Sequence, residues 1–263
     1  MNATSDGGLF AGTAWHYARY RPGYPPALLD DLIQRLGLDG TGRLLDLGCG
    51  TGQLTLPLAA HVAEAVGMDP ESEMLTEAIR QSREQAIANV NWIQRNSADL
   101  PRDLGHFTLV TMGRSFHWMD REQVLTALDE MVDDEGSLVI ANDSNLTLPT
   151  TPWQQAIQEI QRNFLPANQH GPTLTADIRQ THEQVLVNSP FRQVNRQVYE
   201  FLRHWTIEQV IGYLYSTSLP LRRLLGDRQT AFEQAVADTL LAIDPAGHFT
   251  EPVALEVLTA NRN

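Results

Sequence analysis

Residues 44–52 read LLDLGCGTG: an apolar run, one carboxylate, then three glycines alternating with small residues. A short apolar run ended by turn formers reads as a buried strand. Glycines directly behind it permit left-handed backbone and remove the Cβ atoms that would block a close ligand. In an open α/β sheet, ligands sit beyond the carboxyl ends of the strands. The dinucleotide fingerprint at such a place is G-x-G-x-x-G. Gly48, Gly50 and Gly52 give G-x-G-x-G instead, and Gln53 stands where the third dinucleotide glycine belongs. A side chain there crowds a pyrophosphate. The loop suits a nucleoside ligand without one, and a nicotinamide oxidoreductase is disfavoured.

On either side of the loop the apolar pattern alternates between two periods. PPALLDDLIQRLGL, from Pro25, carries apolar residues at 28, 29, 32, 33 and 36, the spacing of an amphipathic helix, with Gly37 as its stop. A helix is expected from about Gln53, with Pro57 near its start. AEAVGMD reads as a second strand, and PESEMLTEAIRQSREQAIA as a long helix opened by Pro70 with acids in its first turn. NVNWIQR, FTLVTMG and GSLVIAN read as strands three to five, with REQVLTALDEMV helical between the last two and VDDEG, 132–136, as a turn. Short strands alternating with helices imply a parallel, doubly wound sheet.

After residue 145 the rhythm changes. Helices are expected near 152–164, 175–187, 206–217 and 227–243, and FRQVNRQVYEFLRHWT and HFTEPVALEVLTANR read as two alternating strands. Alternation marks half-exposed or antiparallel strands at a sheet edge. The fold expected is therefore α/β: a Rossmann-like, seven-stranded sheet, mostly parallel with an antiparallel last strand, plus a helical cap. Residues 25–263 form one domain on this reading, with cap insertions near 150–190 and 205–246, and the first 24 residues are irregular and extended.

Nineteen arginines and no lysine stand against 32 acids, a net charge of −13. Counterion release rewards basic faces, so duplex nucleic acid is disfavoured as a partner. The absence of lysine excludes Schiff-base chemistry on that side chain. A single Cys49 forms no internal disulfide, and no 18-residue apolar run or secretion signal is visible, so a soluble cytoplasmic protein is expected, with no membrane partner. The eight histidines show no paired metal-ligand spacing and no G-x-S-x-G elbow occurs, so neither a metal nor a covalent intermediate is expected.

The first strand, the D-L-G-C-G-T-G loop and the elements after them resemble the class I S-adenosylmethionine-dependent methyltransferases, most closely the small-molecule group with trans-aconitate-type and ubiquinone-biosynthesis-type members. Residues 40–142 carry the resemblance; YARYRPGYP and FHWMD share it, and it weakens after 145. It implies S-adenosylmethionine as cofactor, cradled by Gly48, Gly50 and Gly52. Asp69, 19 positions beyond Gly50, would accept both ribose hydroxyls. Pro70 and Met74 would lie against the adenine or ribose. Asp99 would accept the adenine amino group, with Ser97 or Ala98 lining the ring, and Gly113 would lie next to the sulfonium. Asp46 is either a contact of the methionine amino group or a buried structural acid. Residues 1–24 would be a lid, with Tyr17 or Tyr20 closing over the site and Arg21 paired with a carboxylate. Thr108 departs from the family, which often has an acid within the fourth strand.

GRSFHWMD comes after the fourth strand, where the transferred methyl would be. A neutral imidazole, with an ordinary pKa of about 6.5, can take a proton at neutral pH. His117 is the candidate base; with Trp118 it equally reads as pocket lining or loop support. Tyr213 and Tyr215, in IGYLYSTS, combine flat surface with hydrogen-bonding tips and are candidate acceptor contacts, although an ordinary amphipathic helix fits the same pattern. The function expected is methyl transfer to an oxygen or nitrogen of a small molecule by in-line displacement. The alternative is a non-catalytic cofactor-binding partner or sensor. Monomer and homodimer are both left open.

Overall fold

The computed structural model describes residues 12–100, 102–143, 149–165, 180–219 and 221–262. The chain divides into two compact units. A sheet unit comprises Pro22–Asn142, Ile178–Tyr199 and Leu255–Asn263, and a helical unit comprises Met1–Arg21, Asp143–Asp177 and Glu200–Ala254. Among the described residues no helix is long and apolar enough to cross a membrane.

The strands are β1 (Arg43–Leu47), β2 (Glu64–Asp69), β3 (Val90–Gln94), β4 (Phe107–Gly113), β5 (Val132–Asp143), β6 (Gln193–Thr206) and β7 (His248–Asn261), in the order β3-β2-β1-β4-β5-β7-β6. The first five pair in parallel, and antiparallel strands lie at the end of the sheet. This is the Rossmann-like arrangement that the alternating pattern implies. Chain order reverses between β1 and β4, which opens the crevice at their carboxyl tips.

The sequence explains the placement. Leu44, Leu45 and Leu47 are wholly buried, as a central strand covered on both faces requires. VNWIQ of β3 is only half-buried, as an edge strand tolerates. Leu45, Leu47, Val66, Met68, Val110, Met112 and Ile140 from four strands, with Leu125 and Leu128 of helix α5 (Arg121–Asp129), belong to one core. Burial of this kind contributes roughly 1.5–3 kcal/mol per large side chain.

Three local expectations change. VDDEG is not a free turn: β5 already begins at Val132, which pairs with Phe107, and a register shift lies between Phe107 and Leu109. The bulge lets one strand absorb residues that look like turn formers. Ala14–Tyr20, expected to be extended, forms helix α1. It buries Ala14 and His16 and packs on helix α8 (Ile207–Leu214), where the bare Cα of Gly212 receives the Tyr20 ring. The helix expected over 175–187 is described only from His182 (α7, His182–Val187), opened by a Thr181–Gln184 capping box; its earlier part lies outside the described residues.

The helical unit has its own core, including Trp153, Ile157, Trp205, Leu214, Tyr215, Phe232 and Phe249. At its centre Glu251 accepts from Gln154 Nε2 at 2.8 Å, Trp205 Nε1 at 3.1 Å and Arg203 Nη1 at 3.2 Å. Arg203 Nη2 reaches Asp143 at 2.9 Å, so the buried charges are paired and hydrogen-bonded.

Candidate cofactor site

The glycine loop closes the tip of β1 onto the tip of β2. Gly48 and Cys49 donate their amides to the Met68 carbonyl at 2.8 and 3.1 Å. Gly48, Gly50 and Gly52 have φ of 68°, 54° and 85°, the left-handed region that β-carbon-bearing residues avoid. At Gly48 there is also no room: a Cβ would lie 2.5 Å from that of Ser115, whose hydroxyl donates to the Leu47 carbonyl at 2.6 Å. At Gly52 a Cβ would meet the Trp92 ring at 2.9 Å. Two of the three glycines therefore serve interior packing as well as loop conformation.

Asp69 ends β2 and is 7% exposed. Its Oδ2 accepts the Gly50 amide and its Oδ1 the Glu71 amide, both at 2.9 Å. Each carboxylate oxygen has a further lone pair for a ligand hydroxyl. Burial raises its pKa against the pull of those two amides.

Asp46 is placed differently. It lies beside Thr111 in register, accepts the Thr111 hydroxyl at 2.8 Å and the Thr55 hydroxyl at 2.5 Å, and is 1% exposed. Both oxygens are engaged by protein hydroxyls, the arrangement of a structural acid. Burial lifts its pKa to about 6, and the Asp69 charge adds to the lift.

Met74 is buried on helix α4 (Ser72–Glu84), while Pro70, ahead of it, is exposed and offers its carbonyl to Gln94 Nε2 at 3.1 Å. Beyond β3 a single 3-10 turn, Ser97–Asp99, is held by the Asn96 side chain accepting from the Ala98 amide at 3.0 Å. Asp99 and Ala98 are exposed there and Ser97 is half-buried. Gly113 ends β4, and the Tyr24 hydroxyl and Leu54 crowd the place its Cβ would take.

His117 and Trp118 occupy a 3-10 turn after β4; His117 is half-buried, and its ring centroid lies 4.8 Å from that of Trp118, which is 48% exposed. Close by, His182 Nδ1 accepts from Arg121 Nη1 at 3.4 Å, and its ring lies 5.1 Å from Phe116. Burial and the Arg121 charge push His182 down to about 4, with His117 adding to the shift. His182 is therefore a neutral imidazole at physiological pH.

Tyr17, Tyr20, Arg21, Tyr213 and Tyr215 all belong to the helical unit. The Arg21 guanidinium lies 5.3 Å from the ring centroids of both Tyr17 and Tyr213. Tyr20 donates to Glu208 at 2.8 Å, and Tyr215 to Glu233 at 2.9 Å. The expected site residues thus form two groups, one assembled within each unit.

Three residues of the sheet unit escape the sequence reading. Arg114 is buried with φ 54°, donates to the Pro22 carbonyl at 2.8 Å and lies 4.7 Å from the Tyr24 ring centroid. A left-handed backbone at a buried arginine is a sparsely populated conformation that the surrounding structure must hold, and nothing in the sequence signals it. His182 gives no motif either. Trp92 had a readable signal: Gly67 sits opposite it in register in mid-strand, and a strand glycine marks close approach by a neighbour.

The fold is that of the Rossmann-like methyltransferases, and comparisons with known proteins agree. Residues 44–136 match the family model described as a methyltransferase domain. An uncharacterized methyltransferase of Mycobacterium tuberculosis is 25% identical over 251 residues, 95% of this chain and 92% of that protein. Demethylmenaquinone methyltransferase of Lactococcus lactis is 32% identical over 139 residues, 51% of this chain and 54% of that protein. The crystal structure of an S-adenosylmethionine-dependent methyltransferase from Thiobacillus denitrificans in complex with S-adenosylhomocysteine shares the fold, with a TM-score of 0.51 and 17% identity over 94% of this chain and 96% of that one. Residues 44–136 thus form a methyltransferase domain, and the chain resembles S-adenosylmethionine-dependent methyltransferases in fold.

Proposed function

We propose that this enzyme moves a methyl group from S-adenosylmethionine to an oxygen or nitrogen of a small molecule, and that the β1–β4 tips hold the cofactor. The observation that carries the reading is the Asp69–Gly50 pair at 2.9 Å: a buried carboxylate fixed by two amides, with acceptor capacity left on each oxygen. The residues fit a cationic nucleoside better than an anionic one. Burial, with the Asp69 charge adding to it, already lifts the Asp46 pKa, and a positive ligand relieves what a phosphate would aggravate. The Thr51 hydroxyl oxygen, buried in the same loop, has no hydrogen-bond partner among the described residues, and buried polar atoms of that kind call for an explanation.

When bound, the cofactor supplies an electrophilic methyl on a positively charged sulfur. Asp69 binds the ribose hydroxyls, and each such bond to a charged acceptor is worth about 1.5–3 kcal/mol. Asp99, Ala98, Ser97, Pro70 and Met74 surround the adenine, while Gly48, Gly50, Gly52 and Gly113 bring bare backbone to the remainder. The chain mainly aligns two molecules and excludes water, which contributes up to about 7–11 kcal/mol in favourable cases. His117 takes the acceptor's proton on a ring nitrogen as the new bond forms, a role worth roughly 10²–10⁴-fold. Trp118 lines the acceptor side. A net charge of −13 supports a small-molecule acceptor over nucleic acid.

Incubation with methyl-labelled S-adenosylmethionine and a panel of hydroxyl- and amine-bearing small molecules tests the reading. Label on one acceptor, with one S-adenosylhomocysteine formed per transfer, is expected. Tight cofactor binding with no transfer across the panel contradicts it.

A further inference from the structure

Within the helical unit lies a cavity of about 420 Å³, lined by Thr13, Tyr215, Leu221, Arg222, Arg223 and Gln229 among others. That volume falls within the range of small-molecule sites. Its floor is firm: Thr13, Tyr215 and Leu221 are 4%, 4% and 1% exposed. Its rim is cationic, with two consecutive arginines on the short helix α9 (Leu221–Leu225).

Several guanidinium groups in this acid-rich chain close onto carboxylates, as Arg35 does on Asp31, Arg43 on Glu64 and Arg203 on Asp143 and Glu251. Among the described residues neither Arg222 nor Arg223 has an ion pair. Arg222 lies 5.7 Å from the Tyr215 ring centroid, and Gln229 Nε2 donates to its backbone carbonyl at 3.0 Å. The acid nearest Tyr215, Glu233, is engaged by the Tyr215 hydroxyl at 2.9 Å. Behind the same tyrosine, His16 is 9% exposed, its ring centroid 5.4 Å away and its Nδ1 without a hydrogen-bond partner among the described residues.

We infer that this cavity is a binding site for a small molecule carrying a carboxylate or phosphate group. A planar guanidinium fork matches either anion bidentately, and an aromatic floor holds the apolar body behind it. The inference concerns binding within the helical unit and stands independently of the methyl transfer proposed above.

Calorimetric titration of the full chain at fixed ionic strength tests it, with citrate, inorganic phosphate and phenyl phosphate as probes and chloride as the control anion. Saturable binding of at least one oxyanion is expected, weakened tenfold or more in R223Q and further in the R222Q/R223Q pair. Citrate alone binding identifies a carboxylate site; the phosphates alone binding identifies a phosphate site. Both substitutions lie on exposed side chains, so circular dichroism and the unfolding midpoint should match the wild type. No saturable binding by any probe, or affinity unchanged in the double variant, overturns the proposal.

Discussion

The Asp69 carboxylate accepts the Gly50 amide at 2.9 Å across 19 residues of chain, joining the end of β2 to the middle of the glycine loop. One acid thereby fixes the loop and keeps oxygen lone pairs for a ligand. Its removal leaves two amides, of Gly50 and Glu71, without their acceptor. D69A should lose about 1–3 kcal/mol of unfolding free energy, measured by urea denaturation without cofactor; unchanged stability would deny Asp69 its structural half.

Asp46 makes folding stability depend on pH. Its pKa rises from 3.8 to about 6 on folding. The native state therefore binds this proton more tightly than the unfolded chain does. The contribution is fully present below about pH 4 and is lost as pH rises through about 6, with a total on the order of 2–3 kcal/mol. Carboxyl carbon NMR should show one aspartate titrating near 6, absent from D46N, whose stability should vary less between pH 4 and 7. An Asp46 titration in the ordinary range would contradict this.

His117 should separate turnover from cofactor affinity. H117A is expected to lower kcat roughly 10²–10⁴-fold and to leave the cofactor dissociation constant within about twofold. The acid limb of the kcat profile should vanish with it. A variant that keeps both turnover and the wild-type pH profile removes His117 from proton transfer.

Glu251 is 1% exposed and holds Arg203, Trp205 and Gln154 together. Taking away one member of a buried charged network strands the rest, at about 3–5 kcal/mol. E251A should show that loss in chemical denaturation, and E251Q, which keeps hydrogen-bonding capacity, a smaller one. Equal, small losses in both would mean water replaces the carboxylate freely.

Much of the sheet is legible because its strands are buried on both faces, and burial writes itself into sequence as short, largely apolar runs such as RLLDL and FTLVTMG. The glycines and Asp69 are legible because a left-handed loop and a strand-tip acid are local features. What escapes depends on distant partners. Asp46 is visible, but Thr111, which engages it from 65 residues away, is not. AWHYARY is too short and too weakly capped to declare itself helical; α8, far along the chain, stabilises it by packing. Arg114 and His182 carry no pattern, since a positive φ at arginine and a desolvated imidazole are products of the folded surroundings.

The most direct test of the proposed cradle is calorimetric titration of wild type and D69A with S-adenosylhomocysteine in one buffer. Saturable one-to-one binding to the wild type, weakened at least tenfold in D69A, is expected, since about 1.4 kcal/mol corresponds to one decade. Equal affinity in the two proteins, or no binding to the wild type, would contradict the account.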